Sequence, residues 1–225
     1  MSATQQSASV TLTASQTHTP PANASDWIAL ALTRSMRWFS DRLFGDRYAH
    51  RAVVLETVAA VPGMAGATLQ HLAALRRLKE HAHWVPQLES EAENERMHLV
   101  TFLHIANPTR FERLMVRVAQ GVFFNLYFLL YLASPRTAHR MVGYFEEEAV
   151  RSYTRFAQAI VDGRISNSPA PAMAIEYWGL PAGARLLDVV LAVRADEMGH
   201  RDANHRFADT LNRCTSRKSL TLLPH

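Results

Sequence analysis

Cysteine is almost absent from the 225-residue sequence: Cys214, close to the C-terminus, stands alone. That excludes an intramolecular disulfide framework and points to a reducing compartment, leaving only a bond between subunits open. Glycine is scarce as well, at 9 residues, and no run alternates apolar and polar residues long enough to make a strand. With 48% hydrophobic residues the chain can bury a core without cross-links, so an all-α domain is predicted. No basic start followed by an apolar core opens the sequence, as a secretory signal would require, and no arginine precedes Arg34, as a mitochondrial transit peptide would require. A bacterial protein, or a chain without its transit peptide, is therefore expected. The net charge of +4, with a pI near 9.6, is moderate, and the arginines gather in the first half and around the middle helix without forming a continuous stripe. This pattern suits an anionic lipid surface and excludes nucleic acid as the expected partner.

Residues 1–25 are mostly Ser, Thr, Gln, Ala and Pro, with His18 the only titratable side chain, a composition that cannot bury enough surface to fold alone. They are expected to be a disordered arm, followed by a helical domain over 26–210 and a tail over 211–225. Six long helices are predicted in that domain. Asp26 caps the first, to about Phe44. The second runs from Arg47 to about Lys79 despite Pro62-Gly63, and the third from Pro86 to Ala106. Asn107-Pro108-Thr109 separates the third from a fourth that ends near Ala133. Ser134-Pro135 starts the fifth, and a loop over Asn167 to Pro171 precedes the sixth.

Against this background Glu-x-x-His occurs twice, as Glu95-Arg96-Met97-His98 in helix three and Glu197-Met198-Gly199-His200 in helix six. Residues i and i+3 share one helix face, so each pair can aim a carboxylate and an imidazole at the same metal atoms. One copy alone is ordinarily a solvated face. Each copy here, however, is preceded by a glutamate on another helix, Glu56 or Glu146. Glu56 lies in Val53-Val54-Leu55-Glu56-Thr57-Val58-Ala59-Ala60-Val61, where a lone carboxylate is costly to bury unless something positive meets it. Four helices thus supply Glu56, Glu95, His98, Glu146, Glu197 and His200, the ligand set of a carboxylate-bridged di-iron centre in a ferritin-like four-helix bundle.

Between Arg117 and Arg136 no charge appears, and Val122 to Leu132 is apolar enough to cross a membrane. Two of the metal carboxylates precede this segment and two follow it, so a single crossing would place half the site on each side of the bilayer. The first helix, with Arg34, Arg37, Asp41 and Arg42, is too charged to supply a second crossing. Helices one and four are therefore expected to lie in the membrane surface of one leaflet, apolar side down and arginines at headgroup level. The simpler alternatives for helix four are a buried core helix and a dimer interface.

The wording around the ligands, Leu55-Glu56-Thr57-Val58-Ala59-Ala60-Val61-Pro62-Gly63-Met64, Glu91-Ala92-Glu93-Asn94-Glu95-Arg96-Met97-His98-Leu99, Glu146-Glu147-Glu148-Ala149-Val150 and Arg194-Ala195-Asp196-Glu197 with His200, closely resembles the alternative oxidases. The resemblance extends from about residue 26 to 210, with Met198-Gly199 a departure where Ala-His is commoner. It implies a non-haem, cyanide-resistant ubiquinol oxidase holding two iron ions, dimeric and monotopic on the inner face of a respiratory membrane, that reduces dioxygen to water without pumping protons. It implies the six iron ligands above, a redox role for Tyr153, and Asn94, Asp196, Tyr177 and Trp178 as the residues that orient them. It also implies a quinol pocket of Arg37, Arg51, Leu55, Glu148, Ala149 and Ser152. The regulatory cysteine of the plant enzymes has no counterpart in the arm. A soluble ferritin-like storage protein, a di-iron hydroxylase or desaturase, and a non-catalytic membrane-surface protein are the rival readings.

Overall fold

The computed structural model describes residues 18–45, 47–78 and 84–220, the stretch 214–220 by its backbone alone. The arm over 1–17 and the side chain of Cys214 lie outside the described residues. Among the described residues seven helices follow one another: α1 (Ala24–Phe44), α2 (Tyr48–Arg77), α3 (Trp84–Ala106), α4 (Arg110–Ala133), α5 (Pro135–Val161), α6 (Ala172–Trp178) and α7 (Leu186–Leu220). The most extensive packing joins α5 to α7 and α2 to α3, and these four make the bundle, with α1 laid on α5 and α4 on α2. No strand forms among the described residues; a lone bridge pairs Pro169 with Arg185.

The boundaries follow local chemistry, with two departures from the sequence reading. The sixth predicted helix is two: Gly179, at φ 60°, closes α6 in the left-handed conformation, and Pro181 follows before α7 begins. The first helix starts earlier than Asp26, because Asn23 is its cap and accepts from the Asp26 amide. Asp26 is buried because its carboxylate receives Arg136 and Arg140 of α5. Thr109 and Glu112 form a reciprocal capping box that starts α4, and Ser134 with Pro135 starts α5.

Two glycines set how closely the bundle helices approach. A Cβ on Gly63 would lie 2.6 Å from the Leu88 carbonyl oxygen, so α2 and α3 meet backbone to backbone. A Cβ on Gly143 would lie 2.5 Å from the His205 ring, which fixes α5 against α7. Beside that contact Glu147 of α5 is bonded by His205 Nε2 at 3.1 Å, by His18 Nδ1 at 2.5 Å and by the Thr19 amide at 2.8 Å. Arg140 completes the network with Asp26, Asp209 and His205 Nδ1. The segment just before α1 is thereby tied to the end of the bundle through groups that bury each other's charge.

Among the described residues two helices are long and apolar enough to span a membrane, and their surroundings differ. In α2 67% of the apolar window is buried, as befits a bundle core, whereas in α4 only 17% is. Helix α4 turns Phe123, Tyr127 and Tyr131 inward and leaves Leu126, Leu129 and Leu132 about 60% exposed (62%, 61% and 58%). On α1, Trp27, Ile28, Trp38 and Phe39 are exposed in the same way. The buried-helix alternative for α4 is thereby excluded.

A candidate di-metal centre with an apolar access cavity

Glu56 comes from α2, Glu95 and His98 from α3, Glu146 from α5, and Glu197 and His200 from α7, and all six converge at mid-bundle. Ligand atoms of Glu56, Glu95, His98 and Glu197 lie within 4.8 Å of one another, every one of these residues buried. His98 Nδ1 is 3.2 Å from Glu56 Oε2, 3.3 Å from Glu95 Oε2 and 3.4 Å from Glu197 Oε1. His200 joins through Nδ1 at 2.8 Å from Glu95 Oε1, and Glu146 through a hydrogen bond with Glu197. The two halves of the sequence on either side of α4 meet in one site, as the topological argument requires.

Four carboxylates in a dry pocket repel one another, and the site divides the charge accordingly. Burial, then the Glu197 and Glu95 carboxylates, push the Glu56 and Glu146 pKa values far up. Burial alone would raise Glu95 too, but the adjacent His98 and His200 outweigh it and hold this carboxyl below its usual range. Burial lowers both imidazoles, and the carboxylates around them outweigh it and raise both well above the ordinary value. Glu95 Oε2 and Glu197 Oε2 still lack a hydrogen-bond partner among the described residues. Buried carboxylate oxygens without partners are rare and signal a missing cation.

The orienting residues expected from the resemblance also come together. Asp196 Oδ2 accepts from Asn94 Nδ2 at 3.0 Å, from Trp178 Nε1 at 2.8 Å and from His98 Nε2 at 3.1 Å, and Asn94 Nδ2 also donates to the Tyr177 hydroxyl at 3.0 Å. The proton on His98 Nε2 is thus committed to Asp196, which turns Nδ1 to the carboxylate cluster. Trp178 stacks on the same ring, with centroids 5.8 Å apart. Tyr153 is buried two turns after Glu146 and donates its hydroxyl to Glu56 Oε1. Burial and the Glu56 carboxylate drive its pKa well up, so the phenol keeps its proton.

A cavity of about 460 Å³ reaches the cluster from the side of α1 and α4. Glu56, Glu146 and Glu197 form its inner end; Arg37, Arg51, Leu55, Glu148 and Ala149 line it, and Met115, Phe123 and Leu126 of α4 complete the apolar wall. Ser152, expected in the same set, is not among the lining residues. Asp41 is the residue that sequence reasoning missed: it holds Arg51 Nη1, and Arg37 bridges from Asp41 at 3.3 Å to Glu148 at 3.1 Å. The i,i+4 spacing of Arg37 and Asp41 was its visible signal.

The family model for alternative oxidases matches residues 5–209. This chain belongs to the alternative oxidase family. It is 54% identical over 194 residues to a mitochondrial ubiquinol oxidase of Batrachochytrium dendrobatidis, covering 86% of this chain and 61% of that protein. It is 55% identical over 192 residues to ubiquinol oxidase 1a of Arabidopsis thaliana, covering 85% and 54%, and 50% identical over 192 residues to alternative oxidase 3 of Glycine max, covering 85% and 59%. The chain thus spans somewhat more than half the length of these relatives. Their names are mitochondrial and give no support to the bacterial origin expected above.

Proposed function

We propose that this alternative oxidase family member oxidises ubiquinol and reduces dioxygen to water at a di-iron centre, while lying on one leaflet of a respiratory membrane, as a homodimer. The observation that carries the reading is the cavity, which joins Glu56, Glu146 and Glu197 at one end to the exposed apolar faces of α1 and α4 at the other. A storage protein has no use for such a passage, and a long-tailed quinol reaching the site from within the membrane does. The mitochondrial ubiquinol oxidases among the relatives support ubiquinol as the donor and a respiratory membrane as the place.

The residues present fit iron. Glu56, Glu95, Glu146 and Glu197 carry four negative charges once deprotonated, matching two divalent cations, and the unpartnered oxygens of Glu95 and Glu197 await such a charge. His98 and His200 complete the mixed nitrogen and oxygen donor set. Bound there, the two irons would supply the redox chemistry that moves electrons from quinol to dioxygen. Arg51, buried and braced by Asp41, presents a fixed donor to a quinol oxygen in the cavity, with Arg37 beside it. Glu148, partly neutralised by Arg37 and by Arg151 at 2.5 Å, accepts a quinol proton. Asp196 orients His98, and the apolar wall keeps water from the reacting groups. Two quinols are consumed per dioxygen, and the single-leaflet placement moves no proton across the bilayer.

The exposed apolar side chains of the second half of α2, Met64, Leu72 and Leu75, support a homodimer. Membrane attachment has its own test. Changing Leu126, Leu129 and Leu132 to serine should move the protein to the soluble fraction, since each exposed leucine contributes roughly 1.5–3 kcal/mol when buried. The function itself is tested by oxygen uptake in membranes given a ubiquinol analogue and cyanide. Uptake that continues under cyanide supports the proposal; uptake that stops, or that needs an organic substrate to be hydroxylated, overturns it.

A further inference from the structure

A second buried tyrosine is wired differently from Tyr153. Tyr131 of α4 is 3% exposed, and its hydroxyl lies 3.1 Å from His139 Nε2 while accepting from Gln70 Nε2 at 3.0 Å. His139 is fully buried, with Nδ1 2.9 Å from Asn204 Oδ1. The amide nitrogen of Asn204 is already committed to Glu91 Oε2 and to the His200 carbonyl, each at 3.0 Å, so its oxygen is the atom that faces His139. This fixes the proton of His139 on Nδ1 and leaves Nε2 as a ready acceptor for the Tyr131 proton. The acceptor is not a metal ligand, unlike Glu56, which takes the Tyr153 hydroxyl.

The pair stands midway along an aromatic path. Toward the centre, the Tyr127 ring lies 6.1 Å from Tyr131, fully buried, its hydroxyl without a hydrogen bond among the described residues. The Tyr127 ring stacks on Phe123 with centroids 5.8 Å apart, and Phe123 lines the same cavity as Glu146. Outward, His139 meets Trp84 edge to face at 5.7 Å, and Trp84 is half-buried at the first residue of α3. Oxidisable rings thus run from Tyr127 through Tyr131 and His139 to the half-buried Trp84.

We propose that Tyr131 and His139 are a protective redox pair, the middle of a route by which an oxidising equivalent stranded at the metal centre leaves through Trp84 when quinol runs short. The proposal rests on the oxygen chemistry proposed above. One electron passes from Tyr131 to the oxidised centre, and the phenolic proton moves to His139 Nε2, leaving a neutral tyrosyl radical and an imidazolium held by Asn204. One electron from the Trp84 indole then refills Tyr131 while the proton returns to its oxygen. A soluble one-electron reductant of the ascorbate class restores Trp84 and gives up its own proton to water. Burial lowers the His139 pKa to about 4, so the imidazolium forms only against a strong oxidant. That threshold suits an outlet and not a step of ordinary turnover.

The experiment has two arms. In the first, the full-length protein as purified, under argon, is oxidised with photoexcited ruthenium tris-bipyridine and persulfate, and radicals are recorded by electron paramagnetic resonance. A tyrosyl signal that falls several-fold in both Tyr131→Phe and Trp84→Phe supports the route; a signal unchanged in Tyr131→Phe overturns it. In the second, iron-loaded protein turns over in air with limiting quinol, and the turnovers completed before inactivation are counted. They should fall several-fold in both variants, while the initial rate with excess quinol stays at the parent value. An unchanged lifetime, or a slowed initial rate, overturns the protective role. A parent protein that forms the argon signal yet oxidises no quinol would sink the proposed function and leave the Tyr131–His139 pair supported.

Discussion

His200→Ala and Glu95→Ala are expected to abolish both iron binding and oxygen uptake. His200 Nδ1 and Glu95 Oε1 lie 2.8 Å apart, donors on α7 and α3, so either truncation opens the centre where two helices meet. The remaining donors stand on rigid helices and cannot close the gap without shifting one of them. Removing one charge from a buried pair also destabilises the fold by about 3–5 kcal/mol, so the metal assay needs a variant that keeps the shape. Glu95→Gln serves: it preserves volume, removes the anion, and should still lose most of its iron. His104→Ala is the control, because His104 is exposed and bonds only its own helix at the Val100 carbonyl. Iron per protomer after purification and dialysis is the direct readout. Full occupancy in His200→Ala would remove this residue from the ligand set.

Much of this centre was legible because helices impose arithmetic. A ligand pair at i,i+3 can only share a face, and a lone glutamate among valines and alanines can only be buried at a cost, so Glu56, Glu95, His98, Glu146, Glu197 and His200 stood out before any contact was known. The charge-free stretch in α4 was legible for the same reason. The contacts that sequence hid are those between helices distant in the chain. Nothing in the sequence distinguishes His205 from His104, yet His205 is buried between Glu147 and Arg140 while His104 faces solvent. Asp26 reads as a helix cap, and its partners Arg136 and Arg140 lie more than a hundred residues on. His18 looks like part of a featureless arm until Glu147 is set beside it. The break after α6 did have a signal, Gly179-Leu180-Pro181, which the run of apolar residues on either side obscured. Pro62, conversely, sits inside α2 without ending it, because the buried α2–α3 interface holds the helix together across the missing hydrogen bond.

Tyr153→Phe is expected to separate metal binding from chemistry. The substitution keeps the ring, which stacks on Phe102 with centroids 5.5 Å apart, and removes only the hydroxyl that donates to Glu56 Oε1. Glu56 retains His98 at 3.2 Å as its partner, so iron content should stay close to the parent value and stability should fall by only about 1 kcal/mol, the net worth of one hydrogen bond. Turnover is another matter. The phenol is held protonated by burial and by the carboxylates around it, and its one outlet for a proton is Glu56, so an electron taken from the ring can leave together with that proton. Phenylalanine can supply neither, and the rate of oxygen reduction should drop about 100-fold or more, with reduction of the irons by quinol preserved. Tyr144→Phe is the matched control: Tyr144 is buried on the same helix, but its hydroxyl has no partner among the described residues, and its ring packs on His205. Stopped-flow reduction by quinol, followed by oxygen uptake on the same preparations, reads the two steps apart. Near-parental oxygen uptake by Tyr153→Phe would return this tyrosine to packing and leave the metal pair to supply every electron.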